Sequence, residues 1–209
     1  MFVFTPLLDW LYPQAEKNRE SALLGAFRCT PVIVDGYALR TQGVLHLDRL
    51  VAAANYASSR ALQESIQLFK YGRRRSLAPS LGLLLSVASG LLSKSTEQHV
   101  LCPVPLHWSR RFARGFNQAE LLAREVAHAT GMPLTLCLRR TRPTGHQAWR
   151  THSERRLAMQ DAFVALQPAP SHVILIDDVA TTVSTLDACA CALKHAGVQH
   201  VQALVVALG

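Results

Sequence analysis

One run narrows the choice of fold more than any other: Val173-Ile174-Leu175-Ile176-Asp177-Asp178-Val179-Ala180-Thr181-Thr182-Val183-Ser184-Thr185. Its four leading apolar residues predict a strand over 172–176 buried on both faces, as in a parallel sheet covered by helices. Two carboxylates, Asp177 and Asp178, stand where that strand should end. Four hydroxyl residues then lead into an apolar, helix-period stretch over 186–196, in a helix expected over 184–196 with Gly197 as its C-cap. In an open α/β sheet, ligands gather at the carboxyl ends of strands, and anions sit at the N-terminus of the following helix. Paired acids suit a ribose diol, and a Thr/Ser loop rich in backbone N–H groups suits a phosphate. The order acid, acid, phosphate loop is what a ribose-5-phosphate group requires. The plainer alternative is a core strand with a solvated acidic end.

Other segments repeat the alternation. Extended segments are expected over 31–37, around Val32-Ile33-Val34, and over 50–56, with strands over 99–104, 134–138 and 200–207. Helices are expected over 7–12, from Ser58 or Ser59 to Phe69, over 76–92 and over 117–130, the last ending at Gly131. Strands alternating with helices imply right-handed crossovers, hence an α/β fold with a mainly parallel sheet and helices on both faces. Residues 139–153 lack a clean period and are rich in Arg, Thr, His and Gly, which reads as a long loop or hood. The chain length fits one domain with a small N-terminal appendage.

Residues 1–13 lack a basic n-region and include Asp9, so no secretory signal is expected. Residues 76–93 are uncharged and reach the length of a membrane span, but Pro79, Gly82, Gly90 and several serines favour a buried core helix. A cytoplasmic protein without a membrane span follows as the expectation. The five cysteines, Cys29, Cys102, Cys137, Cys189 and Cys191, form no C-x-x-C pair. Neither a disulfide framework nor a structural zinc site can be read from them, and reduced, mostly buried thiols are expected.

The net charge of +8 is unevenly spread: residues 101–160 hold ten Arg against three Glu and so carry +7 of it. Eighteen of the 22 basic residues are Arg, whose fork of donors suits bidentate phosphate contacts. Pyrophosphate, nucleic acid or both are the natural partners of such a segment, against a generic solvated basic face.

The acid pair and the loop Thr181-Thr182-Val183-Ser184-Thr185 resemble the phosphoribosyl diphosphate (PRPP) signature of type I phosphoribosyltransferases, with Val183 where that family has Gly. A second constellation sharpens the match. Val104-Pro105-Leu106-His107 with Arg110, then Arg114-Gly115-Phe116-Asn117-Gln118, resembles the ComF family of phosphoribosyltransferase-like proteins. Leu68-Phe69-Lys70-Tyr71-Gly72-Arg73, His46-Leu47-Asp48-Arg49-Leu50 and Leu7-Leu8-Asp9-Trp10-Leu11-Tyr12-Pro13 fit the same family. The resemblance covers most of the chain from Leu45 onward. It implies a type I phosphoribosyltransferase-like domain over 45–209, with a hood, behind an appendage over 1–44. Family members begin with a four-cysteine zinc ribbon. This chain has only Cys29 between residues 1 and 100, so the appendage lacks the ribbon and no zinc is expected. Arg150 and Ala158 also depart from the family pattern.

The resemblance assigns roles residue by residue. Asp177 and Asp178 would hold the ribose hydroxyls and steady the cationic ring of a phosphoribosyl transfer. Thr181, Thr182, Val183, Ser184 and Thr185 would cradle the 5-phosphate. Pro105, Leu106, His107, Arg110, Arg114 and Lys70 would meet the pyrophosphate, and Arg140, Arg142, Gln147 and Arg155 would belong to the hood. Mg²⁺ would arrive with PRPP rather than on direct protein ligands. His107 could equally be a surface histidine, Lys70 a charge that complements its helix dipole, and Phe116 a packing anchor rather than a base-stacking platform. Two functions follow from the family: an enzyme moving phosphoribosyl groups to an unnamed acceptor, or a PRPP-responsive module that binds single-stranded DNA beside other competence proteins. Arg73, Arg74, Arg75 and Arg139 are the candidates for tracking a nucleic-acid backbone. If the Val183 side chain obstructs its loop, Val183→Gly should tighten ribose-5-phosphate binding, because Gly lets a backbone approach a phosphate closely.

Overall fold

The computed structural model describes residues 29–93, 97–106, 108, 112, 114–141 and 162–209. A five-stranded sheet runs in the order β1-β2-β7-β6-β3. Its strands are β1 (Val32–Asp35), β2 (Arg49–Asn55), β3 (Val100–Pro103), β6 (His172–Ala180) and β7 (His200–Leu208). All neighbours are parallel except β1, which pairs antiparallel with β2 at the edge. The helices are α1 (Gly36–Thr41), α2 (Arg60–Lys70), α3 (Ala78–Ser89), α4 (Gln118–Thr130) and α5 (Ser184–His195). A separate antiparallel pair joins β4 (Leu138–Arg140) to β5 (Phe163–Ala165).

Because side chains alternate along a strand, β6 feeds two cores. Val173 and Leu175 join Leu39 of α1 and Leu186, Cys189 and Leu193 of α5 on one face. Ile174 and Ile176 join α2, α3 and α4 on the other, with Phe69, Leu81, Leu85, Leu122 and Val126. Helices therefore cover both faces of an α/β sheet that is mostly parallel. The first core also takes in Leu39 and Val44, so residues 32–44 pack directly on the sheet.

Local signals set several boundaries. Ser59 accepts from Leu62 N (3.3 Å) at the start of α2, and Asn117 accepts from Ala119 N (3.2 Å) at the start of α4. Gly131 ends α4 at φ 73°, the left-handed cap that glycine adopts without strain. The uncharged stretch 76–93 becomes a 3₁₀ turn (Arg75–Leu77) followed by α3, packed between the sheet and α4. Among the described residues no helix is long and apolar enough to cross a membrane.

Three expectations need correction. The strand expected over 172–176 continues to Ala180, so Asp177 and Asp178 lie within it. Its ladder with β7 persists through Asp177↔Val205, Val179↔Ala207 and Ala180↔Leu208, and backbone pairing on that side outlasts the apolar run. The strand expected over 134–138 is a single bridge, Leu101↔Leu134, after which the chain turns with Cys137 N donating to Thr135 O (3.1 Å). The stretch read as loop from Arg139 instead begins as β4, whose partner β5 carried too few residues to show a period. The helix expected over 7–12 and most of the hood segment lie outside the described residues.

Candidate functional site

The site is assembled where β6 and β3 end. Asp178 is buried, and its Oδ1 stands 3.0 Å from Nζ of Lys70, the last residue of α2. The same oxygen accepts from Val179 N (2.7 Å). Asp177, one position earlier and on the opposite face of the strand, accepts from Asp178 N (2.8 Å). Burial pushes the Asp177 carboxyl up to about 7, and the Asp178 charge pushes the same way; the Asp178 N–H, Lys70 and Arg114 oppose them. A carboxyl pushed up toward neutrality by burial and a neighbouring like charge marks Asp177, three residues before the end of β6, as a functional-site candidate.

That raised value has a consequence for stability. Between pH 4 and 7, bracketed by the ordinary carboxyl value of 3.8 and the folded value of about 7, the folded chain keeps a proton that the unfolded chain has lost. Stability therefore falls as pH rises through this window and levels off above it. Asp177→Asn removes the dependence. Urea unfolding should show it gaining at least about 1 kcal/mol on the wild type between pH 5 and pH 8, a figure kept well below the full shift because the two acids are coupled. Parallel pH curves for the two proteins would contradict it.

The loop between β3 and α4 is held against α2 by its own side chains. Arg114 lies over the Tyr71 ring (5.1 Å) and its Nη1 donates to Gln118 Oε1 (3.2 Å), while Gln118 Nε2 reaches Lys70 O (3.5 Å). Asn117 Nδ2 donates to Val104 O (3.1 Å), fixing the loop to the end of β3. Arg75 Nη2 donates to Gly115 O (2.8 Å) and its guanidinium sits over Phe116 (5.0 Å). Phe116 is buried against Phe69, with ring centroids 5.6 Å apart, so it is a packing anchor.

After Ala180 the chain leaves the sheet. Thr181 and Thr182 are exposed, and Ser184 Oγ donates to Thr182 O (3.3 Å) and lies 3.1 Å from Thr182 Oγ1. Ser184 and Thr185 open α5, whose N-terminus has no side-chain cap, leaving first-turn N–H groups for an anion. Val183 takes φ 56°, the left-handed conformation in which a β-branched residue is strained, yet its side chain is buried in the first core. Strain of about 1–3 kcal/mol is thus set against burial of about 1.5–3 kcal/mol. Because the side chain points into the core, it does not fill the loop. Val183→Gly should leave the melting temperature within a few degrees and should not tighten ribose-5-phosphate binding in calorimetry; a several-fold gain would show that valine does obstruct the loop.

Lys70, Arg114, Asp177 and Asp178 therefore converge, with residues 181–185 following directly on β6. Pro105 and Leu106 continue from the end of β3, half-buried. His107 and Arg110 lie outside the described residues, as do Arg142, Gln147 and Arg155. Arg140 sits in β4 with its guanidinium over Phe163 (5.1 Å), whereas Arg139, Arg73 and Arg74 are exposed. Two motif residues turn out to brace the scaffold. Asp48 accepts from Val201 N (2.8 Å) and Lys194 Nζ (2.7 Å), and His46 N donates to Asp187 Oδ1 (2.7 Å). Tyr71 and Gln118 were missed as site-forming residues; their place inside the matched motifs was the available signal.

No protein-family model matches the chain. Competence protein F of Haemophilus influenzae is 32% identical over 164 residues, covering 74% of this chain and 70% of that protein. The chain belongs to the ComF family. DNA utilization protein YhgH is similar to this ComF-family chain at 32% identity over 160 residues in Salmonella typhimurium. The corresponding protein of Escherichia coli (strain K12) is 31% identical over 159 residues; in both cases 74% of the chain and 69% of the relative are covered.

Proposed function

We propose that this ComF-family chain binds PRPP toward the end of β6 and serves competence or DNA utilisation, the roles carried in its relatives' names. The observation that carries the proposal is the run from paired acids to an uncapped helix N-terminus, with Lys70 and Arg114 beside the acids. Asp177 and Asp178 accept from the ribose hydroxyls and face the positive charge that grows on the ring as pyrophosphate departs. Thr181, Thr182, Ser184, Thr185 and the first N–H groups of α5 hold the 5-phosphate. Arg114, with Pro105, Leu106, His107 and Arg110, receives the pyrophosphate. Asp177 and Asp178 offer hard carboxylate oxygens that would suit Mg²⁺ carried by PRPP, an ion that would offset part of the pyrophosphate charge. Such chemistry needs positioning and electrostatics rather than a nucleophilic side chain. Calorimetric titration with PRPP, with and without Mg²⁺, tests the proposal; absence of heat under both conditions contradicts it.

A second reading, a non-catalytic module in which PRPP tunes binding of single-stranded DNA, is favoured by exposed cations and exposed rings. Arg73, Arg74 and Arg139 are solvent-facing, and Trp108 and Phe112 are 75% and 87% exposed. Arg75 is a poor choice for testing it, because it supports the Gly115 loop. Arg74→Glu with Arg139→Glu should weaken single-stranded DNA binding and flatten its log–log salt slope by about 1.4, at about 0.7 per phosphate. PRPP heats should be unchanged. Fluorescence anisotropy across a salt series reads the slope, and no binding by the wild type at low salt leaves the enzyme reading alone.

A further inference from the structure

We propose that Arg75 is a positioning residue for the pyrophosphate loop and sets the preference for PRPP over ribose-5-phosphate, a role that rests on the PRPP reading of this site. The charge pattern groups Arg75 with Arg73 and Arg74 as one basic surface. The fold separates them. Arg73 takes φ 51°, a left-handed conformation that a residue with a Cβ seldom adopts. Arg74 N donates to Leu68 O (3.3 Å) and Arg75 N to Arg73 O (3.0 Å), so the chain turns tightly after α2 and Arg75 opens the 3₁₀ turn. From there its side chain reaches a loop 40 residues further along the chain. Nη2 donates to Gly115 O (2.8 Å), and the guanidinium lies 5.0 Å from the centre of the Phe116 ring.

Where that hold falls gives it its importance. Gly115 takes φ 79°, and an added Cβ would meet nothing nearer than Arg75 Nη2 at 3.9 Å. The glycine therefore serves the turn rather than close packing, and it leaves the backbone beside Arg114 with the freedom peculiar to glycine. C-terminal to it the chain is pinned, with Phe116 against Phe69 (5.6 Å) and Asn117 Nδ2 donating to Val104 O (3.1 Å). N-terminal to it stands Arg114, over Tyr71 (5.1 Å) and donating to Gln118 Oε1 (3.2 Å). Gln118 reaches Lys70 O (3.5 Å), and Lys70 pairs with Asp178 (3.0 Å). Fixing the Gly115 carbonyl thus fixes the direction in which Arg114 leaves the loop, relative to the acids.

The chemistry of the side chain suits this task. A guanidinium can give its donors to a carbonyl while its plane meets an aromatic ring, which a compact ammonium cannot do. The two ligands differ in what they ask of the loop. Ribose-5-phosphate engages the acid pair and residues 181–185 and leaves the pyrophosphate loop empty. PRPP adds the pyrophosphate, so the gain from an Arg114 already in place appears in PRPP affinity alone.

Calorimetry with PRPP and with ribose-5-phosphate, both in Mg²⁺, on the full-length wild type, Arg75→Met and Arg75→Lys tests the assignment. Both variants should lose about fivefold in PRPP affinity, the factor that one net hydrogen bond carries, and keep their affinity for ribose-5-phosphate. Arg75→Lys keeps the charge, so a positional role predicts that it does not restore PRPP binding and that the loss is the same at low and high salt. Arg75 is exposed, so both variants should melt close to the wild type. Equal losses for the two ligands, wild-type PRPP affinity in Arg75→Lys, or a loss that fades with salt would each overturn the proposal. Unchanged PRPP affinity in both variants would overturn it alone, whereas a wild type that binds no PRPP would remove the reading of the site along with it.

Discussion

Replacing Asp177 and Asp178 together by Asn is expected to lower PRPP affinity at least tenfold, about 1.4 kcal/mol in binding free energy. A carboxylate accepting from a hydroxyl makes a charge-assisted bond roughly twice as strong as its neutral counterpart. Asn keeps the size of each side chain while removing that charge, and it turns one acceptor of each pair into a donor facing the ribose hydroxyls. The substitution has opposing effects on the fold. Asp177→Asn relieves a carboxyl that burial already holds up near 7, whereas Asp178→Asn gives up the ion pair with Lys70. A melting curve on the same sample separates folding from binding. An unchanged isotherm in a well-folded double variant would remove the acid pair from the ligand site.

Lys70→Met should have the largest effect on stability, a loss of about 2–3 kcal/mol near pH 8. Removing one partner of a buried ion pair costs about 3–5 kcal/mol because the other charge stays desolvated. Here Lys70 is 19% exposed and Asp178 keeps its bond from Val179 N, which lowers the figure. Methionine preserves most of the aliphatic volume, so lost packing contributes little. The test is a double-mutant cycle by urea unfolding, in which Lys70→Met combined with Asp178→Asn should be less destabilised than the sum of the single changes. Additive losses would show that the 3.0 Å contact is not energetically coupled. The same charge stands close enough to Asp177 to hold its proton affinity down, so Lys70→Met should also shift the pH window of the Asp177 effect upward.

Much of the frame was legible along the chain because its causes are local. The apolar run at 173–176 could be satisfied only by burial on both faces, and β6 is the strand that feeds both cores. Ser59, Asn117 and Gly131 mark helix ends through hydrogen bonds and a positive φ that involve only neighbouring residues. The order of acids, hydroxyl loop and helix likewise needs nothing beyond sequence distance. What the tertiary structure decided depends on partners far apart in the chain. β6 runs on through its acids because β7 lies beside it to Leu208, and no local pattern reports the length of a neighbouring strand. β4 and β5 are three residues each, too short for a period, and exist as a pair only because the chain returns at Phe163. Lys70 meets Asp178 and Arg75 meets Gly115 across separations that periodicity cannot bridge. The sequence by itself determined that the apolar run of β6 is buried on both faces, where α2 and α4 start and where charge accumulates. Which of those charges neutralise one another, and which remain for a ligand, was decided by packing, because electrostatic pairing depends on distance in space rather than along the chain.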